Sequence, residues 1–406
     1  MKVLHVIPSF APAWEYGGPI YAVLAMTREL VREDCEITVM TTNINKAGVL
    51  DVPLECPVSV EEVETWYFPV EYPRWYCFSR SLARGLKKHV RRFDLVHIHS
   101  VFLWPTTIAS FWCRKYKVPY IIRPAGALSS VCILKPYDKL WASWSSKIKK
   151  GFYLKTVGKK DLENAAAIHF TSIVEREEVH PLGLKPPHFI IPMGIDLPHP
   201  TNKLSGPSFR DRDPRLKEKK LILFLSRIDP KKGVGFLLAA LSDLAKKRDD
   251  FVLGIAGSGT KAYELEVQTL VEHHGLSART IFYGFVEGED KWSLLHQSDI
   301  FVLPSYQENF GFAVVEAMAA GVPVVISQQV GICTEVSKAA SGFTVSLNNS
   351  EIASAIERLL ESEMLRKEMG RNGASLVREK FTWKEVIKHL LREYERIIRT
   401  EVLDSM

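Results

Sequence analysis

The chain is 406 residues long, more than one ordinary hydrophobic core accommodates, so two domains are expected. Its 46% hydrophobic and 25% charged residues are those of a soluble globular protein, and a formal charge of +6 is too mild an excess to indicate a nucleic-acid partner. Cys35, Cys56, Cys77, Cys113, Cys132 and Cys333 show no C-x-x-C spacing, which argues against zinc and against a disulfide framework and favours a reducing cytosol. No apolar run reaches the length of a membrane span, and Met1-Lys2 leads directly into a strand, so no signal peptide is expected.

Val3–Ile7 is a short apolar run closed by Pro8 and is expected to be a buried parallel strand. The loop Ser9–Pro19 leads to a helix from about Ile20 to Arg32, with Ile20, Val23, Leu24, Leu30 and Val31 on its apolar face. Gly17-Gly18-Pro19 stands just before that helix. Two glycines there let a ligand approach the backbone closely, and a plain tight turn is the competing reading.

A strand at Glu36–Thr41, a basic helix at Ser79–Arg92, a strand at Leu95–His99, a helix at Trp104–Tyr116 and a strand at Tyr120–Ile122 follow. Ala167–Phe170 and Phe189–Ile191 are later strands. Such alternation predicts a doubly wound parallel sheet whose ligands sit at strand carboxyl ends. His97 and His99 are expected to alternate across this sheet, His97 as a buried, satisfied histidine and His99, at the strand end, as the one that meets substrate. Lys147–Lys160 is basic, interleaved with Phe152, Tyr153 and Leu154, and follows Trp141 and Trp144. A membrane-touching surface and a solvated basic face both fit it.

After Pro192–Asp196 a Pro-rich, polar segment to about Lys220 reads as the interdomain linker. It contains Asp211-Arg212-Asp213, an Asp-x-Asp of the kind that holds a divalent ion; no apolar strand precedes it, and it reads as solvated linker. Leu221–Leu225 opens a second alternating series. Arg227 and Lys232 bracket the next strand-to-helix turn, placed to meet a diphosphate as one planar fork and one point charge. Gly254, Gly257 and Gly259 only loosely match a dinucleotide fingerprint and read as a tight turn beside a nucleotide base. Ile281–Phe285, Ile300–Leu303, Val324–Ile326 and Phe343–Val345 are further strands, and Thr382–Arg399 is a long final helix.

Pro304–Val325 is the densest stretch. Pro304 ends a strand, Ser305–Asn309 is a polar loop, a short helix follows, and Gly321 and Pro323 stop it. Glu308 lies before the helix and Glu316 about one turn into it. Between them Asn309, Phe310 and Gly311 place backbone N–H groups at a helix N-terminus, an anion site flanked by two acceptors.

In this order, Gly17-Gly18, the His99 strand end, Pro192–Asp196, Arg227 with Lys232-Gly233, Gly257-x-Gly259 and Glu308-x7-Glu316 make the chain resemble the retaining family 4 glycosyltransferases of the GT-B fold over nearly its whole length. Asn309, where the family more often has a small residue, and Met193, where it usually has Asn, are departures; the second is expected to affect only the turn.

The resemblance implies an α/β protein with two Rossmann-like doubly wound domains facing a central cleft. Residues 1–200 with a crossing helix at about 383–406 would bind the acceptor, and 201–382 the nucleotide-sugar donor. It further implies that Glu316 accepts from ribose hydroxyls and that Glu308 binds the donor sugar, with Asn309, Phe310 and Gly311 alongside. Arg227 and Lys232 would neutralise the diphosphate, Gly17 and Gly18 approach the distal phosphate, Gly257 and Gly259 line the donor, and His99 lie beside the sugar. No metal or other cofactor is required in this reading, since a fixed Arg, a Lys and a helix N-terminus stabilise the leaving diphosphate.

UDP-glucose is the leading donor by family frequency. The acceptor would be a sugar or lipid-linked oligosaccharide in extracellular or envelope polysaccharide biosynthesis. The protein would be cytoplasmic, with peripheral contact at the inner face of the membrane through 147–160. The rivals are a GT-B sugar-nucleotide epimerase, a nicotinamide oxidoreductase, a glycoside hydrolase using the two glutamates, and an inactive sugar-binding scaffold.

Overall fold

The computed structural model of the protein describes residues 1–129, 150–151, 153–197 and 209–404. The chain divides into two compact units, Met1–Gly194 with Trp383–Met406, and Ile195–Thr382.

The first unit carries β1 (Lys2–Ser9), β2 (Glu36–Thr42), β3 (Ile44–Asn45), β4 (Gly48–Val49), β5 (Pro57–Val60), β6 (Val63–Phe68), β7 (Leu95–His99), β8 (Tyr120–Arg123), β9 (Ala167–Phe170) and β10 (His188–Ile190). Its main sheet has the order β10-β9-β8-β7-β1-β2-β6-β5, parallel except for the β5–β6 hairpin. Every residue of β1 after Lys2 is buried, as a strand covered on both faces requires. β1 runs past the expected stop at Pro8 to Ser9, because its pairing with β2 skips between Val6 and Ser9 and the proline needs no ladder partner there. The β5–β6 hairpin has no counterpart in the sequence reading; β5 alternates only between exposed and half-buried residues and offers no apolar run.

The helices between these strands include α1 (Gly18–Arg32), α2 (Arg80–His89) and α3 (Trp104–Tyr116). α2 is shorter than the expected Ser79–Arg92. Ser79 is its N-cap, accepting from the Leu82 N–H, and Val90–Arg92 tightens into a 3-10 turn. Of the basic stretch, Lys147–Lys149 and Phe152 lie outside the described residues, as do Trp141 and Trp144. Tyr153 turns inward, its hydroxyl 2.9 Å from Thr107 Oγ1, and Leu154 packs against the core. These two residues therefore do not contribute to an outward apolar face. Among the described residues no helix is long and apolar enough to cross a membrane.

The second unit is an all-parallel six-stranded sheet of β11 (Lys220–Leu225), β12 (Phe251–Ala256), β13 (Thr280–Gly284), β14 (Ile300–Leu303), β15 (Val324–Ser327) and β16 (Gly342–Val345), in the order β13-β12-β11-β14-β15-β16. This is the doubly wound order in which the chain reverses direction beside its first strand. The reversal falls between β11 and β14 here, and between β1 and β7 in the first unit.

The presumed linker is partly structured. Residues 198–208 lie outside the described set, but Phe209–Arg212 is a short helix. The Arg210 guanidinium pairs with Asp299 and donates to the Lys219 and Gln297 carbonyls, tying the segment to the starts of β11 and β14. Asp213 caps the next turn and pairs with Arg215, so the Asp-x-Asp is absorbed locally.

The helix Phe312–Ala319 is held from behind by the helix Glu363–Lys380, which presents Gly370 and Gly373. A Cβ at Gly370 would lie 2.0 Å from the Gly321 carbonyl oxygen, and one at Gly373 would lie 3.1 Å from Met318 Cβ. In an unconstrained helix Gly→Ala is stabilising by about 1 kcal/mol. Gly370→Ala is expected to reverse that sign, destabilising the protein by more than about 1 kcal/mol because backbone occupies the space. A lowered urea midpoint would show it; an unchanged or raised midpoint would refute the close approach.

Candidate active site

The carboxyl edge of the second sheet concentrates the expected donor residues at its reversal point. The loop after β11 runs through Arg227 and Lys232, and the loop after β14 through Glu308. The two loops are pressed together: Gly233 has φ +70°, and any Cβ on it would lie 1.9 Å from the Pro304 carbonyl oxygen. The Tyr306 N–H donates to the Lys231 carbonyl at 2.9 Å. This brings Lys232, which is 7% exposed, against Glu308, and its ammonium donates to Glu308 Oε2. Glu308 is pinned through its backbone, its N–H donating to Gln329 (3.1 Å) and its carbonyl accepting from Gly331 (2.7 Å).

Gly311 follows in the left-handed region at φ +99° as the N-cap of the helix Phe312–Ala319. Its carbonyl accepts from the Val314 and Val315 N–H groups. Phe310 is buried, its ring 5.0 Å from Phe312 and 5.7 Å from Phe381, which fixes the turn from below. Asn309 is half-buried beside it. One turn into the helix, Glu316 Oε1 accepts from Lys291 Nζ at 2.7 Å. Lys291 is absent from the sequence reading. Its helix, Gly288–His296, carries no marked apolar stripe, and only the fold sets it beside Glu316.

Arg227 is exposed at the same edge. Gly257 and Gly259 lie where the backbone of a neighbouring loop comes close. A Cβ at Gly257 would lie 1.8 Å from the Ser226 carbonyl oxygen, and one at Gly259 would lie 2.0 Å from that of Ile228. The loops after β11 and β12 pack backbone against backbone, and that contact alone demands glycine at both positions.

In the first unit Gly17 has φ +73° and forms the N-cap of α1, with its own N–H donating to the Trp14 carbonyl at 2.8 Å. Gly18 is exposed at the first helical position. His97 and His99 do not alternate across the sheet. Residues two apart on a strand share a face, and their ring centroids are 4.4 Å apart. His5, register partner of His97 on β1, lies on the same face, with His5 Nδ1 2.9 Å from His99 Nε2.

His169, Arg123 and Tyr394 complete a buried polar layer that the sequence reading missed. The only signal for it was three strands with a histidine in an otherwise apolar run. Met193, expected to matter only to its turn, belongs to this layer: its sulfur accepts from Arg123 Nη1 at 2.8 Å.

Burial holds all four imidazoles neutral, helped by the Arg123 charge and by one another. His5 and His169 are pushed down to about 3, and His97 and His99 well below the ordinary value. The tautomers of His169 and His97 follow from one acceptor. The Ile191 carbonyl can only accept, so His169 Nε2 carries its proton (2.8 Å). His169 Nδ1 then accepts from His97 Nε2 (3.4 Å), and His97 Nδ1 accepts from the Tyr394 hydroxyl (2.6 Å). His99 is 2% exposed, and its Nδ1 has no partner among the described residues; the same holds for His5 Nε2. The His5–His97–His99 trio is close enough to suggest a metal site. It fits one poorly, because both His97 nitrogens are committed and the Arg123 charge acts on the same rings.

Two family models match the chain: "Glycosyl transferase 4-like domain" over residues 17–194 and "Glycosyl transferases group 1" over residues 207–376. The chain belongs to the family 4 glycosyltransferases of the GT-B type. It is 26% identical over 401 residues to an uncharacterized glycosyltransferase of Methanocaldococcus jannaschii, covering 94% of this chain and 96% of that one. Among solved structures, sucrose-phosphate synthase from Thermosynechococcus elongatus superposes with a TM-score of 0.75 at 18% identity, covering 98% of this chain and 100% of that one. Anabaena HepE in complex with UDP-glucose superposes with a TM-score of 0.71 at 18% identity, covering 100% of both chains. At that identity both show the fold, which is GT-B with two Rossmann-like domains. The glycosyltransferase thus places Lys232, Glu308 and Arg227 on loops at the reversal point of its second Rossmann-like unit, where such sheets bind ligands.

The histidine layer sets a pH dependence of stability. An unfolded imidazole titrates near 6.5, so below that pH the unfolded chain binds more protons than the folded one. The stability present above about pH 6.5 is then lost as pH falls towards about 3, by up to about 1.4 kcal/mol per pH unit for each histidine. Asp161, raised to about 6, and Glu175, also raised, run the other way and offset part of the loss at the acid end. The urea midpoint is expected to be clearly lower at pH 5.5 than at pH 7.5; equal midpoints would mean the imidazoles are not neutral in the folded enzyme.

Proposed function

We propose that this glycosyltransferase is a retaining, metal-independent hexosyltransferase that uses UDP-glucose and a sugar-containing acceptor of the kind built into extracellular or envelope polysaccharide. The observation that carries the reading is the buried Lys232 ammonium beside Glu308 at the reversal point of the second sheet. A buried cation, an exposed arginine and a helix N-terminus on adjoining loops suit a diphosphate. The choice of UDP-glucose is supported by the fold shared with HepE, whose structure holds UDP-glucose.

In this reading Arg227 and Lys232 take up the charge that develops on the diphosphate as the glycosyl–phosphate bond breaks. Glu316 accepts from the ribose hydroxyls. Glu308 accepts from a donor-sugar hydroxyl, with Asn309, Phe310 and Gly311 shaping the turn around it, and Gly257 and Gly259 close the loop beside the base. The first unit takes the acceptor; of its residues, Gly17 and Gly18 are assigned to the donor's distal phosphate and His99 to the donor sugar, at the carboxyl edge of its own reversal point. The departing phosphate takes the acceptor hydroxyl's proton as the new bond forms on the same face, so that configuration is retained.

The two glutamates fit a glycoside hydrolase poorly. Such an enzyme needs one of its two carboxyls as a proton donor, whereas here each carboxylate accepts from a lysine ammonium. We further propose a cytoplasmic enzyme, reaching a lipid-linked acceptor through peripheral contact by the 147–160 stretch. Flotation with anionic vesicles tests that contact, and equal recovery with neutral vesicles would count against it.

Thermal shift and slow hydrolysis across a panel of nucleotide sugars, in EDTA, should single out one donor, expected to be UDP-glucose. Loss of activity in EDTA would overturn the metal-free mechanism. Product formed from donor alone, with the sugar epimerised, would favour the epimerase reading. Glu316→Ala is expected to weaken nucleotide binding by about 1.5–3 kcal/mol in calorimetry, the range for a charge-assisted hydrogen bond. Unchanged affinity would remove the ribose assignment.

A further inference from the structure

We propose that Glu308 is an exchange partner for Lys232. It neutralises the lysine while the donor site is empty and yields it to a diphosphate on favourable terms only when a sugar hydroxyl takes the lysine's place. The site thereby discriminates the intact nucleotide sugar from the nucleoside diphosphate left after transfer. The inference rests on the donor-site reading above.

The Lys232 side chain is 9% exposed, and an ammonium so far from water is costly unless it is paired. Its partner is Glu308, 22% exposed and anchored through its backbone to Gln329 and Gly331, so the counter-charge is held in place. The loop contacts at Gly233 and Tyr306 fix the lysine from the other side.

A diphosphate that reaches Lys232 competes with a carboxylate for the ammonium, and it brings more negative charge beside that carboxylate. Nothing in a nucleoside diphosphate compensates Glu308 for the loss. A sugar still attached to the diphosphate does, because its hydroxyls donate to the freed carboxylate. After transfer the sugar is gone, Glu308 again faces a diphosphate without a donor, and re-forming the ion pair favours release.

The second pair behaves differently. Lys291 and Glu316 are 24% and 16% exposed, and the ribose that Glu316 would meet is present both before and after transfer. That pair therefore cannot tell donor from product.

Calorimetric titration of wild type, Glu308→Gln, Glu316→Gln and Lys232→Met with UDP and with UDP-glucose, or with the corresponding pair for the base selected by the donor panel, tests this. Glutamine keeps an acceptor for Lys232 but no charge, so Glu308→Gln is expected to fold with a melting temperature lowered by the loss of the counter-charge. It should bind UDP about tenfold more tightly than wild type while losing most of the preference for UDP-glucose over UDP. Glu316→Gln should weaken both ligands by the same factor. UDP affinity in Glu308→Gln equal to or below that of wild type, with Lys232→Met and Glu316→Gln both weakening UDP, would overturn the exchange and leave the donor-site reading standing. Undiminished UDP affinity in Lys232→Met and Glu316→Gln would overturn the donor-site reading itself, and the exchange with it.

Discussion

A buried ammonium needs a counter-charge, and much of the second unit is arranged to supply one for Lys232. Gly233 lets the loop after β11 come within backbone contact of Pro304, and the loop after β14 is tied down by hydrogen bonds to the segment after β15. The helix Phe312–Ala319 is braced through the glycine face of the helix Glu363–Lys380. Each contact is between backbones or small residues, so the position of Glu308 over Lys232 is set by rigid parts. A charge pair built this way is held in place by the fold itself.

The first unit uses its reversal point differently. There the sheet carries four neutral imidazoles, a buried guanidinium and a tyrosine hydroxyl from the C-terminal helix Trp383–Asp404; His169, His97 and Tyr394 are joined in hydrogen bonds whose direction is set by the Ile191 carbonyl. A layer of this kind ties Tyr394 to β7 and β9 and gives the helix a specific seat. It also leaves His99, the residue at the strand end, with one nitrogen engaged by His5 and the other without a protein partner among the described residues. Met193, a sulfur acceptor for Arg123 at the close of this layer, shows how a residue outside the strands is drawn into it.

Much of the architecture was legible along the chain. Leu95–His99, Ala167–Phe170 and Ile300–Leu303 form strands with the bounds their apolar runs suggest. Trp104–Tyr116 is a helix with the bounds its periodicity suggests. Parallel strands buried on both faces advertise themselves as short apolar runs. The β5–β6 hairpin at the sheet edge does not, because β5 has no buried residue to make an apolar run. The stretch at 209–215 looked like linker for a related reason: its order comes from ion pairs and capping, which leave no hydrophobic period.

The sequence by itself determined the alternating α/β plan, the two-unit length scale and the chemical inventory of the site: two glutamates, an arginine, a lysine and the glycines between them. Those properties depend on local pattern, which neighbouring residues along the chain carry. Only the tertiary structure decided the partnerships: Lys232 with Glu308 across 76 positions, Lys291 with Glu316 across 25, and His5 with His99 across 94. It also decided that Gly257 and Gly259 are small because another loop's backbone lies against them. Strand order and loop approach create such pairs. They bring together groups whose separation along the chain carries no period or motif, and the burial that makes a pairing obligatory exists only after the sheet has formed.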